Sequence, residues 1–241
     1  MTNGPLTLGS PRPGLFFLQN YDQLSVIGEE QARHLGEYWA RHKTVFDRIA
    51  TGPSLRHQRT AQIAGEVCRK AGLSFAEPIV LAELGEFPGE AILGGSLPQL
   101  LPRDNKIRDL HAALQRALDE NEKRAAFQRL FEAILLLWVH EEITLPRVET
   151  WQEFCARVNG GLTSLLSGSR KGANVLIFTS GGPIAVAMHR ALHLSAQDTV
   201  QLSWMSRNCS CSEFLFSGDR FTLSSFNSHP HLKKDLLLTY R

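Results

Sequence analysis

The 241-residue sequence holds only four cysteines, three methionines and three tyrosines, and no apolar stretch long enough to cross a bilayer. Its longest apolar run, Ala133 to Val139, stops at Glu132 on one side and His140 on the other, which excludes a membrane span. Cys68, Cys155, Cys209 and Cys211 form no Cys-x-x-Cys pair, so the sequence predicts reduced, buried thiols rather than a metal or redox centre. Neither sign of charge dominates: 26 Lys and Arg against 24 Asp and Glu give a formal charge of +2, without the basic stripe that a nucleic-acid partner would need. There is no P-loop, no GxGxxG and no GxSxG, which removes the main support for kinase, dinucleotide and α/β-hydrolase chemistry. His189 and His193 stand at i,i+4 with no HExxH and no nearby acidic ligand, a helix surface rather than a metal site. No cofactor is expected. Met1 to Gly14 lacks both a basic start and a long apolar segment, and reads as a flexible tail of a cytoplasmic protein.

What the sequence does contain is one format used more than once. Val175 to Phe178 is apolar at every position, as a strand covered on both faces must be. It breaks into Ser180-Gly181-Gly182-Pro183 and resumes with Ile184, Ala187, Met188, Ala191 and Leu192 at helical spacing. A second unit runs from a short strand near Phe46 to Ala50, through a Gly-Pro break, into a helix with Ala61, Ile63, Ala64, Val67 and Ala71 inward. Gly14 to Leu18 predicts the first buried strand, ahead of a helix from about Ser25 striped by Ala32, Leu35 and Trp39. Three helical stretches, about Leu97–Glu120, Glu122–His140 and Trp151–Leu166, predict an insertion over about residues 96–167. Ser212 to Phe226, with Gly218-Asp219 at its tip, is a hairpin pattern. The sum is a single α/β domain over residues 15–241, a three-layer α/β/α sandwich with a mixed, mostly parallel sheet and a helical insertion.

Two positions carry the chemistry. A helix beginning at the carboxyl end of a strand aims unpaired N–H groups and a positive dipole end at whatever lies there. Ser180 can cap such a helix, and Gly181 and Gly182 let an anion approach the backbone. Arg56 falls in the first turn of the preceding unit's helix, where the dipole disfavours a cation. If both helices start at one edge of the sheet, Arg56 and the Gly181 and Gly182 amides converge on one anion, and a guanidinium fork matches phosphate or carboxylate geometry.

These segments resemble the histidine phosphatase superfamily, also called phosphoglycerate mutase-like. Leu24 to Ala32, LSVIGEEQA, is similar to its Leu-Thr/Ser-x-x-Gly-x-x-Gln-Ala helix start. TGPSLRHQRTA is similar to its Ser-Pro-x-x-Arg-x-x-x-Thr-Ala segment, which implies that Arg56 binds phosphate. Leu84 to Leu93 resembles the segment bearing the acidic proton donor, implying that role for Glu86. VLIFTSGGPIA resembles the last strand and turn, where most members read Thr-His-Gly-Gly.

The departures are as informative. The family's Arg-His-Gly follows its first strand and supplies the histidine that attacks phosphorus; here GLFFL runs directly into QNYDQLS, and Ser180 stands at the second histidine position. A serine hydroxyl needs an adjacent base to act as a nucleophile, and His57, one residue past Arg56 on a helix, is expected to point about 100° away from it. The resemblance therefore implies a domain that binds a phosphorylated small molecule or phosphoprotein without turnover, with Glu86 and Ser180 at the catalytic positions and Arg56, Gly181 and Gly182 on the phosphate. The alternative is an active phosphomonoesterase or mutase-like enzyme that uses a displaced histidine, His57 or His231, or that lacks its histidine segment only in this version of the sequence. A homodimer is open; a nucleic-acid or membrane partner is not expected.

Overall fold

The fold is that of a computed structural model, whose described residues are 5–10, as backbone, with 22–232 and 239. The contacts divide the chain into two compact units, Met1–Glu86 with Cys155–Arg241, and Phe87–Phe154.

The first unit is built on a sheet of order β3-β2-β4-β1-β5-β6. Its strands are β1 (Pro5–Ser10), β2 (Arg48–Thr51), β3 (Ile79–Val80), β4 (Val175–Phe178), β5 (Ser210–Ser217) and β6 (Arg220–Ser228). The β3–β2, β2–β4 and β4–β1 pairings are parallel, while β1–β5 and the β5–β6 hairpin are antiparallel. The sheet is therefore mixed, as the strand-turn-helix format and the late hairpin require. Gly218 sits at the hairpin tip with φ +55°, a left-handed conformation that glycine adopts without Cβ strain.

The position of β1 corrects the sequence reading. Pro5–Ser10, assigned to a flexible tail, is a strand with Leu6 opposite Val175 on one side and Phe214 on the other. Its six residues are too mixed in composition to announce a strand; β4 and β5 on either side supply the backbone partners that hold it extended. The strand expected over Gly14 to Leu18 lies outside the described residues.

Helix α1 (Val26–His42) starts where the sequence places it, with Ser25 accepting from the Gly28 N–H at 3.1 Å. Helix α2 (Leu55–Lys70) packs beside it. Ala32, Leu35 and Trp39 of α1 and Ala61, Ile63 and Ala64 of α2 are buried as their spacing predicts, whereas Ala71 is exposed and Cys68 takes the inward position near the end of α2. Leu35, Trp39, Ala61, Ala64 and Cys68 meet Ile49, Leu176 and Phe178 from one face of the sheet, and Trp39 lies edge-on to both Phe46 and Phe178. Val175 and Ile177, which alternate to the opposite face, are equally inaccessible, so β4 is covered on both sides. The two helices approach closely at Gly36, where an added Cβ would stand 2.7 Å from the Ala64 carbonyl oxygen. Burial pushes the Cys68 thiol to about 11 and Cys211 to about 12, and Cys209 is also raised well above its ordinary value, so these thiols stay protonated and unreactive near neutrality.

The second unit is helical, with α3 (Gly89–Leu100), α4 (Asn105–Arg116) and α5 (Glu120–Val139). The single helix expected over about Leu97–Glu120 is broken: Pro102, just past the end of α3, has no N–H to continue the helical hydrogen bonds, and Asp104 restarts the chain by accepting from the Ile107 N–H at 3.1 Å. Trp138 donates its indole N–H to the Glu149 carbonyl at 2.9 Å and packs edge-on against Trp151. Helix α6 (Trp151–Leu166) keeps its expected bounds, and α7 (Gly181–Leu192) and α8 (Ala196–Met205) follow β4. Among the described residues no helix is long and apolar enough to cross a membrane.

Two stability predictions follow from this packing. Gly36→Ala, which in an exposed helix would stabilise by about 1 kcal/mol, should instead destabilise by about 1–3 kcal/mol in urea unfolding, because the methyl group has no space against α2. His231 is 2% exposed, and burial, reinforced by His229 and His34 and opposed by a Cys209 backbone hydrogen bond, pushes it from 6.5 down to about 4. The unfolded chain therefore binds a proton that the folded chain refuses, so stability is full above about pH 6.5 and falls as pH drops toward 4, by about 3 kcal/mol in total. His231→Gln should flatten that part of the melting-temperature profile.

Candidate functional site

The parallel register of β2 and β4 sets Thr51 opposite Phe178, and the Gly52 N–H donates to the Phe178 carbonyl at 2.8 Å. Both strands thus end at the same edge of the sheet, and the turns that follow them lead into α2 and α7. The shared edge on which the anion site depends is present for these two strands.

Arg56 stands in the first turn of α2 and is 2% exposed. Ser54, at the N-cap position, makes no side-chain capping bond, and the first turn contains no acid. Asp22 supplies both deficiencies from the loop ahead of α1: one carboxylate oxygen accepts from Arg56 Nη1 at 3.0 Å and the other from the Leu55 N–H at 2.9 Å. Asp22 escaped the sequence reading. The one signal available was a helix start with a cation and no acid in its first turn, and the sequence offered no way to choose which distant acid would meet it.

Ser180 occupies the N-cap position of α7 without making the capping bond expected of it. Its hydroxyl is buried and, with that of Thr51 at the end of β2, has no hydrogen-bond partner among the described residues. Gly181 and Gly182 open the helix and are buried. The Gly182 N–H donates to Glu86 Oε2 at 3.3 Å, so Glu86 lies beside the α7 start and on the same edge. His57 is fully buried, and its Nδ1 would lie 2.5 Å from a Cβ added to Gly52. The imidazole therefore packs against the turn after β2, into space that a larger residue at position 52 would fill. His231 lies against Tyr38 of α1, with ring centroids 6.4 Å apart.

The segment that carries Glu86 is held from two sides, by α6 and by the residue after β4. Arg157 on α6 donates through Nη1 to the carbonyls of Ala82 at 3.4 Å, Glu83 at 2.9 Å and Gly85 at 3.2 Å. Thr179 donates its hydroxyl proton to the Leu84 carbonyl at 2.7 Å. Gly161 lets α6 close in, since a Cβ there would stand 2.6 Å from Glu83 Cβ. A guanidinium that collects three carbonyls of one turn fixes the backbone next to Glu86, and of the three acceptors the Gly85 carbonyl is the part-buried one. No local pattern around Arg157 marked it for this role.

What the edge assembles is a set of anion donors, the Arg56 guanidinium and the amides at two helix starts, with carboxylates already placed on them. Among the described residues no group of His, Cys, Asp and Glu is arranged to hold a metal ion. The histidine phosphatase superfamily (branch 1) matches residues 91–229. The chain belongs to that superfamily. No curated protein sequence matches it significantly, whereas solved structures do. Bacillus stearothermophilus YhfR superimposes with a TM-score of 0.63 at 16% identity, covering 95% of this chain and 98% of its own. A phosphoglycerate mutase from Bacillus anthracis gives 0.58 at 15% identity, over 95% and 96% of the two chains. A mycobacterial glucosyl-3-phosphoglycerate phosphatase solved with inorganic phosphate gives 0.60 at 17% identity, over 95% and 100%. At such identities the likeness is one of fold.

Arg157→Ala should cost about 2 kcal/mol in urea unfolding, as carbonyls around position 83 lose a charged donor. It should also speed amide hydrogen exchange at Gly85 and Glu86, while exchange in β4 stays near its native rate.

Proposed function

We propose that this member of the superfamily binds a phosphorylated ligand through Arg56 and the Gly181 and Gly182 amides and does not turn it over. The observation that carries the reading is the buried Arg56 guanidinium at the carboxyl edge it shares with the α7 start. A buried cation with a planar fork, next to helix amides, suits a phosphate group more than any uncharged ligand. A relative of the same fold is complexed with inorganic phosphate, which agrees with that preference.

The second half of the proposal rests on composition. The sequence has no Arg-His-Gly tripeptide, so the histidine through which the family forms its covalent intermediate has no counterpart in that motif. Glu86, the candidate proton donor, lies beside the Gly182 amide, yet an acid alone leaves phosphorus without an attacking group. Ser180 has a buried hydroxyl with no hydrogen-bonded base among the described residues. Binding and chemistry then separate, since removing a nucleophile can cost about a million-fold in turnover and leave binding intact.

One observation favours a second reading, an active phosphomonoesterase or mutase-like enzyme. The His57 imidazole is fully buried against the turn after β2, at the edge where a displaced nucleophile would have to stand.

Inorganic phosphate at a hundred times its dissociation constant should stabilise the protein by about 2.7 kcal/mol and raise its melting temperature by about 5–11 °C. Arg56→Ala should erase the shift. Hydrolysis of an aryl phosphate should stay at background in both proteins. Turnover that Arg56→Ala and His57→Asn each abolish would replace the binding role with the active-enzyme reading, and the absence of any phosphate-dependent shift would overturn the binding role itself.

A further inference from the structure

Asp22 is placed as a phosphate oxygen pair would be. One of its carboxylate oxygens takes the Arg56 Nη1 proton at 3.0 Å while the other takes the first amide of α2, at Leu55, at 2.9 Å. A guanidinium N–H and a helix-start N–H bridged by two oxygens of a single anionic group is the arrangement a bound phosphomonoester would need at this end of the site. The two partners differ in freedom: the Arg56 side chain is 3% exposed and that of Asp22 is 42% exposed. The guanidinium is held by its surroundings, whereas the carboxylate can turn toward solvent. Asp22 also borders a cleft of about 610 Å³ lined by Leu24, Thr51, Leu55, Arg59 and Val80, which leaves space for a displaced side chain. At the other helix start Glu86 takes up the Gly182 amide in the same manner, at the longer distance of 3.3 Å.

We infer that Asp22 is an internal anion that occupies the Arg56 donors, and that a ligand must displace its carboxylate to bind; Asp22 thereby sets the affinity and the anion selectivity of the site. The inference rests on the phosphate-binding reading above. Its consequence for selectivity is chemical. A carboxylate ligand would exchange one monoanion for another and gain little, whereas a phosphomonoester dianion brings more charge and further acceptor oxygens, and so can outcompete the resident acid. The acid acts as a filter against singly charged metabolites.

Asp22 also caps α2, so removing it should lower stability. A capping role alone predicts nothing about ligand affinity, and this is what separates the two. The test measures the dissociation constant of inorganic phosphate, by calorimetry on the full chain, for the wild type, Asp22→Asn, Asp22→Ala and Arg56→Ala, with melting temperatures of the unliganded proteins as the control for folding. The expected result is phosphate binding at least about tenfold tighter in both Asp22 variants, as befits loss of a competing charged hydrogen-bond acceptor, despite lower unliganded melting temperatures, with no binding by Arg56→Ala. Wild-type binding that is unchanged or weakened in both Asp22 variants would overturn the inference and leave the phosphate-binding reading intact. Failure of the wild type and of both folded Asp22 variants to bind phosphate would overturn that reading, and the inference with it.

Discussion

The parallel pairing of β2 with β4 is the constraint on which the rest of the site depends. Thr51 lies opposite Phe178, so the two chains leave the sheet at one level and their helices begin side by side at one edge. A one-residue slip would turn every side chain of β2 to the other face and force Ile49, 1% exposed, into the space that the small Ala50, 0% exposed, now fills. The register is therefore fixed by burial. The helix starts inherit their common edge from a hydrophobic requirement that has nothing to do with phosphate, which is why the fold can persist while the chemistry at that edge changes.

The segment before Glu86 is tied to this edge by polar contacts. Arg157 gathers three carbonyls of residues 82–85, Thr179 reaches Leu84 directly after β4, and Gly161 permits the close approach of α6. Each contact joins elements far apart in sequence to a stretch with only three residues of 3₁₀-helix. The acid is thus oriented by the packing of α6 and by the end of β4, and its own local sequence contributes little to where it sits.

The same edge shows how strong donors are satisfied within the chain. Helix starts and a buried guanidinium are costly if left dry and unpaired. Asp22 and Glu86 cover them from inside the chain. Each carboxylate offsets the cost of burying the donor it meets, so the edge is stabilised by hydrogen bonds made within the chain.

The sequence by itself determined the elements whose signals are local. Ser25 and the Ala32, Leu35 and Trp39 stripe specified α1, the uninterrupted apolar run of Val175 to Phe178 specified a buried strand, and the Gly218-Asp219 tip specified the β5–β6 hairpin. These rest on caps, periodicity and turn geometry, which need no distant partner. The motifs around Arg56, Glu86 and Gly181 likewise led to the superfamily and to a list of candidate residues. Tertiary structure alone decided the rest. Pro5–Ser10 is a strand because β4 and β5 pair with it from either side; nothing in its six residues compels extension. Asp22 serves Arg56 across 34 positions and Arg157 serves the Glu86 segment across more than 70. Such contacts are chosen by where the elements pack, and a charged residue in a linear sequence carries no mark of which distant helix start or carbonyl it will meet.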